Sequence, residues 1–112
     1  MAKSIPMMEK AAAKSDEGEL YVRLGNVYLD GDQFAKAADS VQKGLKKGGV
    51  KRPDQARLVL GMAYFNLGEY DKARRAFREA GKDDRSAKYS KQWIAYVTSE
   101  EDRQRELEKD IF

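Results

Sequence analysis

Apolar residues along this chain recur three or four positions apart rather than alternately, which is the spacing of amphipathic helices. Glycines at 31, 48, 49, 68 and 81 interrupt this spacing and supply the turn residues that end helices. Start signals follow several of the breaks: Asp16 with Glu19 three residues on predicts a capped helix start, and Pro53 suits a first helical turn. The pattern predicts an all-α chain with helices over residues 5–14, 16–29, 33–46, 53–66, 69–80 and 86–98.

The helices are related by an internal repeat. The segment 24–28, Leu-Gly-x-x-Tyr, returns 36 positions later at 60–64. The segment 34–37, aromatic-x-x-Ala, returns at 70–73 with the same offset. A period of this size is typical of solenoids built from stacked helix pairs, which bind other chains and rarely catalyse reactions. Small residues recur at the same positions of the repeat, as at Gly25 and Gly61, and they indicate places where two helices approach closely.

These positions resemble the tetratricopeptide repeat (TPR), whose pattern contains Leu-Gly, a Tyr three positions on, a small residue and an aromatic residue. The resemblance covers roughly residues 18–82, with Arg57 in the place of a large apolar residue and Val41 in the place of an aromatic one. It implies a TPR-type helical-hairpin solenoid with two full repeats, flanked by a half-repeat helix and a capping helix. Within one domain over 1–112, the parts are a half-repeat helix at 4–14, repeat one at 16–47, repeat two at 53–82, a capping helix at 86–98 and a charged helical tail at 99–112.

The packing of such repeats predicts which residues form the core. Gly25 and Gly61 should admit the facing helix, and Tyr28 and Tyr64 should fill the space one turn further on. The predicted core comprises Leu20, Tyr21, Leu24, Val27, Tyr28, Phe34, Ala37, Val41, Leu45, Leu60, Ala63, Tyr64, Leu67, Tyr70, Ala73, Phe77 and Ile94.

The segment 5–13 at the start of the chain resembles the second helix of a preceding repeat. Met7 and Met8 then form apolar surface that lacks a partner on the upstream side. We therefore expect the chain to be a C-terminal piece of a longer array, with Met1 and Ala2 left from cloning.

The TPR resemblance also implies a binding site, because the first helix of each pair lines the concave face in this family. The positions that commonly meet a peptide there are Val22, Asn26, Leu29, Gln55, Leu58, Met62, Phe65, Tyr89, Trp93 and Tyr96. Met and aromatic side chains are typical binding anchors, and Asn26 is the leading polar candidate. Trp93 and Tyr96 have a second interpretation, in which they only pack the capping helix against repeat two.

A narrower resemblance involves residues 46–56 and 60–64, together with 85–94. These segments are similar to the C-terminal end of large TPR proteins associated with TonB energy-transduction systems in Gram-negative bacteria. The resemblance implies a periplasmic protein that bridges components of an iron-uptake complex. Without it, the location is unknown and a cytoplasmic one is favoured.

Composition narrows the function classes further. With 41% apolar residues, a mean hydropathy of −0.80 and no run of about 18 apolar residues, we expect no membrane span. The chain contains neither Cys nor His, so disulfides, thiolate chemistry and the commonest general base are unavailable. No nucleophile, phosphate-loop or metal-ligand motif is present. We expect a protein that is not an enzyme and binds no cofactor or metal.

The charge balance allows several partners. The net charge is only +3, from 22 basic and 19 acidic residues, and no basic stripe alternates with aromatics, so a protein or peptide partner is expected rather than nucleic acid. A basic loop that includes Lys51 and Arg52 is assigned to the solvated convex face, with contact to an acidic protein or a lipid headgroup as the alternative. The alternative function is self-association, through exposed solenoid ends or through Leu107, Ile111 and Phe112 of the charged tail.

Overall fold

The computed structural model describes residues 4–111 and contains six α-helices and no strand in that range. The expectations for Met1, Ala2 and Phe112 lie outside the described residues. The helices are α1 (Ser4–Lys14), α2 (Glu19–Asp30), α3 (Phe34–Lys47), α4 (Pro53–Asn66), α5 (Tyr70–Ala80) and α6 (Ala87–Ile111). The predicted all-α solenoid fold is confirmed. Most helix ends lie within a residue or two of their predicted places, because proline and glycine mark them.

Successive helices pack as hairpins. The helices α2 and α3 form one pair and α4 and α5 form the next, while α1 packs on α2 and α6 packs on α5. The helix α4 contacts both α3 and α2, so the first helices of the two pairs lie side by side. This arrangement gives an elongated body of 50 × 33 × 19 Å.

Each pair closes where a residue without a side chain faces a bulky one. A Cβ atom on Gly25 would lie 2.4 Å from a methyl carbon of Val41, and one on Gly61 would lie 2.6 Å from the Phe77 ring. The sequence pattern did not single out a third contact, between Gly18 and Gly44. A Cβ on Gly18 would lie 1.8 Å from the Gly44 carbonyl oxygen, so the two backbones touch there.

The predicted core is largely buried. Its buried members are Leu24, Tyr28, Ala37, Val41, Leu60, Ala63, Ala73 and Phe77, and its half-buried members are Leu20, Tyr21, Val27, Phe34, Leu45, Tyr64, Tyr70 and Ile94. The prediction was wrong for Leu67, whose side chain is 42% exposed because it lies in the turn that follows α4. Val97 of α6 is fully buried and was missed.

The N-terminal helix is better covered than its sequence suggested. Met7 is 73% exposed, but Met8 packs against the core and Ala12 is fully buried, so Met8 is not free apolar surface. The Lys47 ammonium donates to the carbonyl oxygens of Ala12 and Ala13, at 2.9 and 3.1 Å, and so caps the end of α1. The predicted start of α2 at Asp16 was also wrong. The residue before α2 is Gly18, and no side chain caps this helix.

The last helix joins two predicted parts. It runs unbroken from Ala87 to Ile111, so the capping helix and the charged tail are one element. Its first half packs on the solenoid, and Arg74 of α5 holds Glu101 at 3.0 Å. Residues 102–111 are all exposed, which means that the second half projects beyond the helix pairs.

A buried carboxylate ties the start of α4 to the turn before α6. Asp54 is only 2% exposed and receives hydrogen bonds from the Arg52 guanidinium at 2.6 and 2.9 Å and from the Ser86 hydroxyl at 2.7 Å. The Arg52 hydrogen bond, reinforced by Ser86, holds the pKa of the Asp54 carboxyl well below its usual range despite burial.

The glycine contact of repeat two generates a stability prediction. Gly61→Ala places a methyl group against the fully buried Phe77 ring, which has no room to move. We expect the free energy of unfolding to fall by about 1–3 kcal/mol, measured by urea denaturation. The control is Gly31→Ala, whose Cβ would meet its nearest neighbour at 3.6 Å. Equal stability of both variants would contradict the close contact.

The Asp54 network generates a pH prediction. Because folding lowers the pKa of this carboxyl, its ionised form stabilises the fold above the unfolded pKa of about 3.9, and that contribution is lost as the pH falls below this value. Asp54→Asn should lower the free energy of unfolding by about 1–3 kcal/mol at pH 7, and the difference from the unaltered chain should shrink towards pH 3. Denaturation curves across pH 3–7 test this, with Asp16→Asn at an exposed position as control. A difference that does not change with pH would argue against it.

Candidate functional site

A groove lies between the two first helices, α2 and α4. It encloses about 480 Å³, and the residues that line it are Glu19, Val22, Arg23, Asn26, Lys51, Arg52, Gln55, Ala56, Leu58, Val59 and Met62. We call it the α2–α4 groove. Five of the ten residues predicted for a binding face, namely Val22, Asn26, Gln55, Leu58 and Met62, are brought together here.

The floor of the α2–α4 groove is apolar and its walls are polar. Val22 is 8% exposed, so it contributes only to the floor, and Leu58 and Met62 are half-buried beside it. The amides of Asn26 and Gln55 are exposed on the two walls. An arrangement of apolar floor and exposed amides can accommodate side chains of a bound segment and hydrogen-bond its backbone.

The basic loop lies at the rim of the groove, although the sequence predicted it on the convex face. Lys51 and Arg52 line the α2–α4 groove and do not lie on the opposite face, because the loop from α3 to α4 passes over the groove end. Arg52 is held by Asp54 at 2.6 Å, whereas Lys51 and Arg23 are exposed. Arg23 and Lys51 were missed as groove residues. A signal for Arg23 was available, since it lies four residues after Glu19 and three before Asn26, on the same face of α2.

The remaining predicted residues lie outside this depression. Leu29 is half-buried against the core, and Tyr89 is 56% exposed on α6. Phe65, Trp93 and Tyr96 form an aromatic cluster between α4 and α6, with Phe65 and Tyr96 ring centroids 5.3 Å apart. This cluster connects α6 with repeat two and lies outside the α2–α4 groove.

Trp93 packs within the aromatic cluster. Its ring stacks on Phe77 at 5.2 Å with an interplanar angle of 9°, and it meets the edge of Phe65 at 6.2 Å. Tyr96 is half exposed, and Gln92, Trp93 and Tyr96 line a shallow depression of about 210 Å³. Trp93 therefore packs on repeat two and also lines this depression, while Tyr96 keeps a free face.

Over residues 4–111, no helix is long and apolar enough to cross a membrane. Nor do the described residues include a group of three or more metal-ligating side chains placed to hold an ion.

The two hairpins place their Leu-Gly-x-x-Tyr segments at corresponding sites in α2 and α4. The family model described as tetratricopeptide repeat matches residues 22–87, more than half of the 112 residues. The chain belongs to the tetratricopeptide repeat family. TPR proteins generally mediate protein–protein interactions and are generally not enzymes. A search of curated proteins gave no match to this TPR chain.

Proposed function

We propose that this TPR chain is a protein-interaction scaffold whose α2–α4 groove binds a peptide or helix of a partner protein. The observation that carries the proposal is the depression of about 480 Å³ with an apolar floor, open to solvent along two first helices. A groove of this kind accommodates the alternate or helically spaced side chains of one segment.

The side chains that line the groove favour a bound segment of a particular chemistry. Leu58 and Met62 offer apolar contacts that adapt to different side chains, because Met is flexible and polarisable. Asn26 and Gln55 supply hydrogen bonds to a peptide backbone from opposite walls. Arg23 and Lys51 add positive charge at the rim, so the proposed segment combines apolar anchors with an acidic flank.

The exposed aromatic residues of α6 extend the proposed surface. Tyr89 and Tyr96 are more than half and half exposed, respectively, and tyrosine is enriched at binding hot spots. A segment longer than the α2–α4 groove would reach them after crossing Met62 and Phe65. Trp93 lies beside Tyr96 and reports on this end by its fluorescence.

Peptide selection tests the α2–α4 groove. Peptides enriched from a random phage-displayed library are labelled with a fluorophore and titrated with the chain, and the fluorescence anisotropy of the peptide is the readout. Gln55→Ala/Met62→Ala should raise the Kd at least tenfold, because hot-spot contacts are removed. The control Gln104→Ala changes an exposed residue on the projecting part of α6 and should leave the Kd unchanged. Selected peptides that bind both variants equally would place binding elsewhere.

A finer proposal concerns the parent protein. The similarity of residues 46–56, 60–64 and 85–94 to TPR proteins of TonB systems supports a terminal position in a larger periplasmic TPR protein linked to transport. In that setting the groove partner is another component of the transport complex. No nucleic-acid partner is proposed, since the net charge is only +3.

Self-association is the second candidate function, and exposed apolar residues at both ends favour it. Met7 on α1 is 73% exposed, and Leu107 and Ile111 on the projecting part of α6 are 46% and 74% exposed. Residues four positions apart on a helix lie on one face, so Leu107 and Ile111 form a common apolar stripe. This stripe could pair with a second copy of the chain.

This second candidate predicts a concentration-dependent dimer. Sedimentation equilibrium should show it for the unaltered chain and for Arg105→Glu, and a monomer for Leu107→Glu/Ile111→Glu, because charges on the stripe cannot be buried without partners. Met7→Glu separates a contact through α1 from one through α6. A monomer at every concentration up to the millimolar range would contradict self-association.

A further inference from the structure

The TPR chain carries two equivalent cavities on the side of its first helices opposite the α2–α4 groove. One, of about 390 Å³, lies between α1 and α3 over α2. The other, of about 300 Å³, lies between α3 and α5 over α4. On α4, Arg57, Leu60 and Tyr64 face this second cavity, whereas Leu58 and Met62 face the groove.

The repeat relates the two cavities residue by residue. In the first, the Lys36 ammonium lies over the Tyr28 ring at 5.9 Å; in the second, Lys72 lies over Tyr64 at 5.7 Å. Both pairs differ in number by the repeat period of 36 residues. The same cation–aromatic contact therefore forms one wall of each cavity. The remaining lining residues can be compared position by position.

The first cavity contains a carboxylate supplied by the chain. The Tyr28 hydroxyl donates to Glu9 of α1 at 2.7 Å. Burial, followed by this hydrogen bond and the negative charge of Glu9, raises the pKa of Tyr28 to about 12. Asp39, which also lines this cavity, pairs with Lys43 at 3.0 Å. The acidic and basic side chains that line the first cavity therefore balance.

The second cavity keeps the tyrosine, but the side chain that contacts its hydroxyl is an amide and not a carboxylate. Gln42 of α3 takes the place of Glu9, and its amide donates to the Tyr64 hydroxyl oxygen, which leaves the Tyr64 O–H free to donate. Arg57 stands where repeat one has Tyr21, and Arg75 stands where it has Asp39. In the opposite sense, Glu79 stands where repeat one has Lys43. The second cavity is therefore lined by three cationic side chains and one carboxylate, whereas the first has two of each.

The charges around the second cavity are only partly compensated. Lys72 forms an ion pair with Glu69 at 3.6 Å, and Glu79 forms one with Lys82 at 3.0 Å. Neither Arg57 nor Arg75 forms an ion pair with any residue in the range 4–111. Arg57 is also half-buried, where an unpaired guanidinium loses part of its hydration.

We propose that the cavity between α3 and α5 binds an organic carboxylate. Arg57 and Arg75 supply the positive charge, and the Tyr64 hydroxyl donates to the ligand as Tyr28 donates to Glu9. Guanidinium groups match carboxylate geometry and give the strong class of hydrogen bonds. Leu45, Leu60 and Ala76 line the rest of the cavity and accept a short hydrocarbon body. This site is independent of the α2–α4 groove and of the function proposed for it.

A matched pair of small probes tests the site. Hexanoate and hexanamide have similar shapes, and only the first carries a charge. NMR titration of the isotope-labelled chain should show hexanoate shifting the resonances of Tyr64, Leu45 and Arg75 to saturation, with at least tenfold weaker effects from hexanamide. Equal effects from both probes, or shifts spread over all lysines and arginines, would overturn the proposal.

Three variants connect the binding to these residues. Arg57→Gln and Arg75→Gln should each weaken hexanoate about tenfold. Gln42→Glu restores the carboxylate that Glu9 supplies in repeat one, so it should occupy the cavity and weaken hexanoate at least tenfold. Gln104→Glu makes the same change on the projecting part of α6 and should bind hexanoate as the unaltered chain does. If Gln42→Glu binds hexanoate undiminished, the comparison between the two cavities is wrong.

A further titration distinguishes the two possible sources of the carboxylate, a glutamate side chain of a protein segment and a free organic acid. The blocked peptide Leu-Glu-Leu and its Leu-Gln-Leu counterpart are titrated in the same way. Tighter binding of Leu-Glu-Leu than of hexanoate would support a glutamate side chain of a protein segment as the ligand, and the reverse order would support a free organic acid. Failure of both carboxylates to bind would refute the site. Loss of groove binding in Gln55→Ala/Met62→Ala leaves all these outcomes unchanged, so the two proposals fail separately.

Discussion

The close approach of paired helices at residues without bulky side chains is the constraint on which the rest of this structure depends. At Gly61 the Phe77 ring occupies the space of a missing side chain, and at Gly25 a methyl group of Val41 does so. One face of each paired helix is buried in this tight contact. Because the constraint recurs every 36 residues, each pair presents its other faces in the same orientation, and those faces remain available for binding.

The two sides of α4 show how one repeat supports two different surfaces. The side that bears Leu58 and Met62 forms the α2–α4 groove, and the side that bears Leu60 and Tyr64 forms the cavity against α3 and α5. Neither surface includes Gly61, whose place is fixed by packing. Substitutions at Arg57 and Arg75 can therefore alter the charge of the cavity without disturbing the helix contact, as the difference between the two repeats illustrates.

Much of the fold could be predicted because its signals are local. Proline and glycine mark helix ends, and the 36-residue offset identifies the hairpins. Contacts between distant segments could not be predicted in this way. The crossing at Gly18 and Gly44 depends on backbone geometry, and Leu67 is apolar in sequence but lies in a turn. Half of the predicted binding residues share one groove. Lys51 was assigned to the wrong face, since periodicity does not give the path of a loop.

Intermolecular NOEs in an isotope-filtered NMR experiment test the central claim most directly, because they report which protons of the chain touch a bound peptide. With a peptide selected on the chain, the account predicts NOEs to the methyl groups of Val22, Leu58 and Met62 on the floor of the α2–α4 groove. NOEs confined to Met7, or to Leu107 and Ile111 on the projecting part of α6, would contradict it.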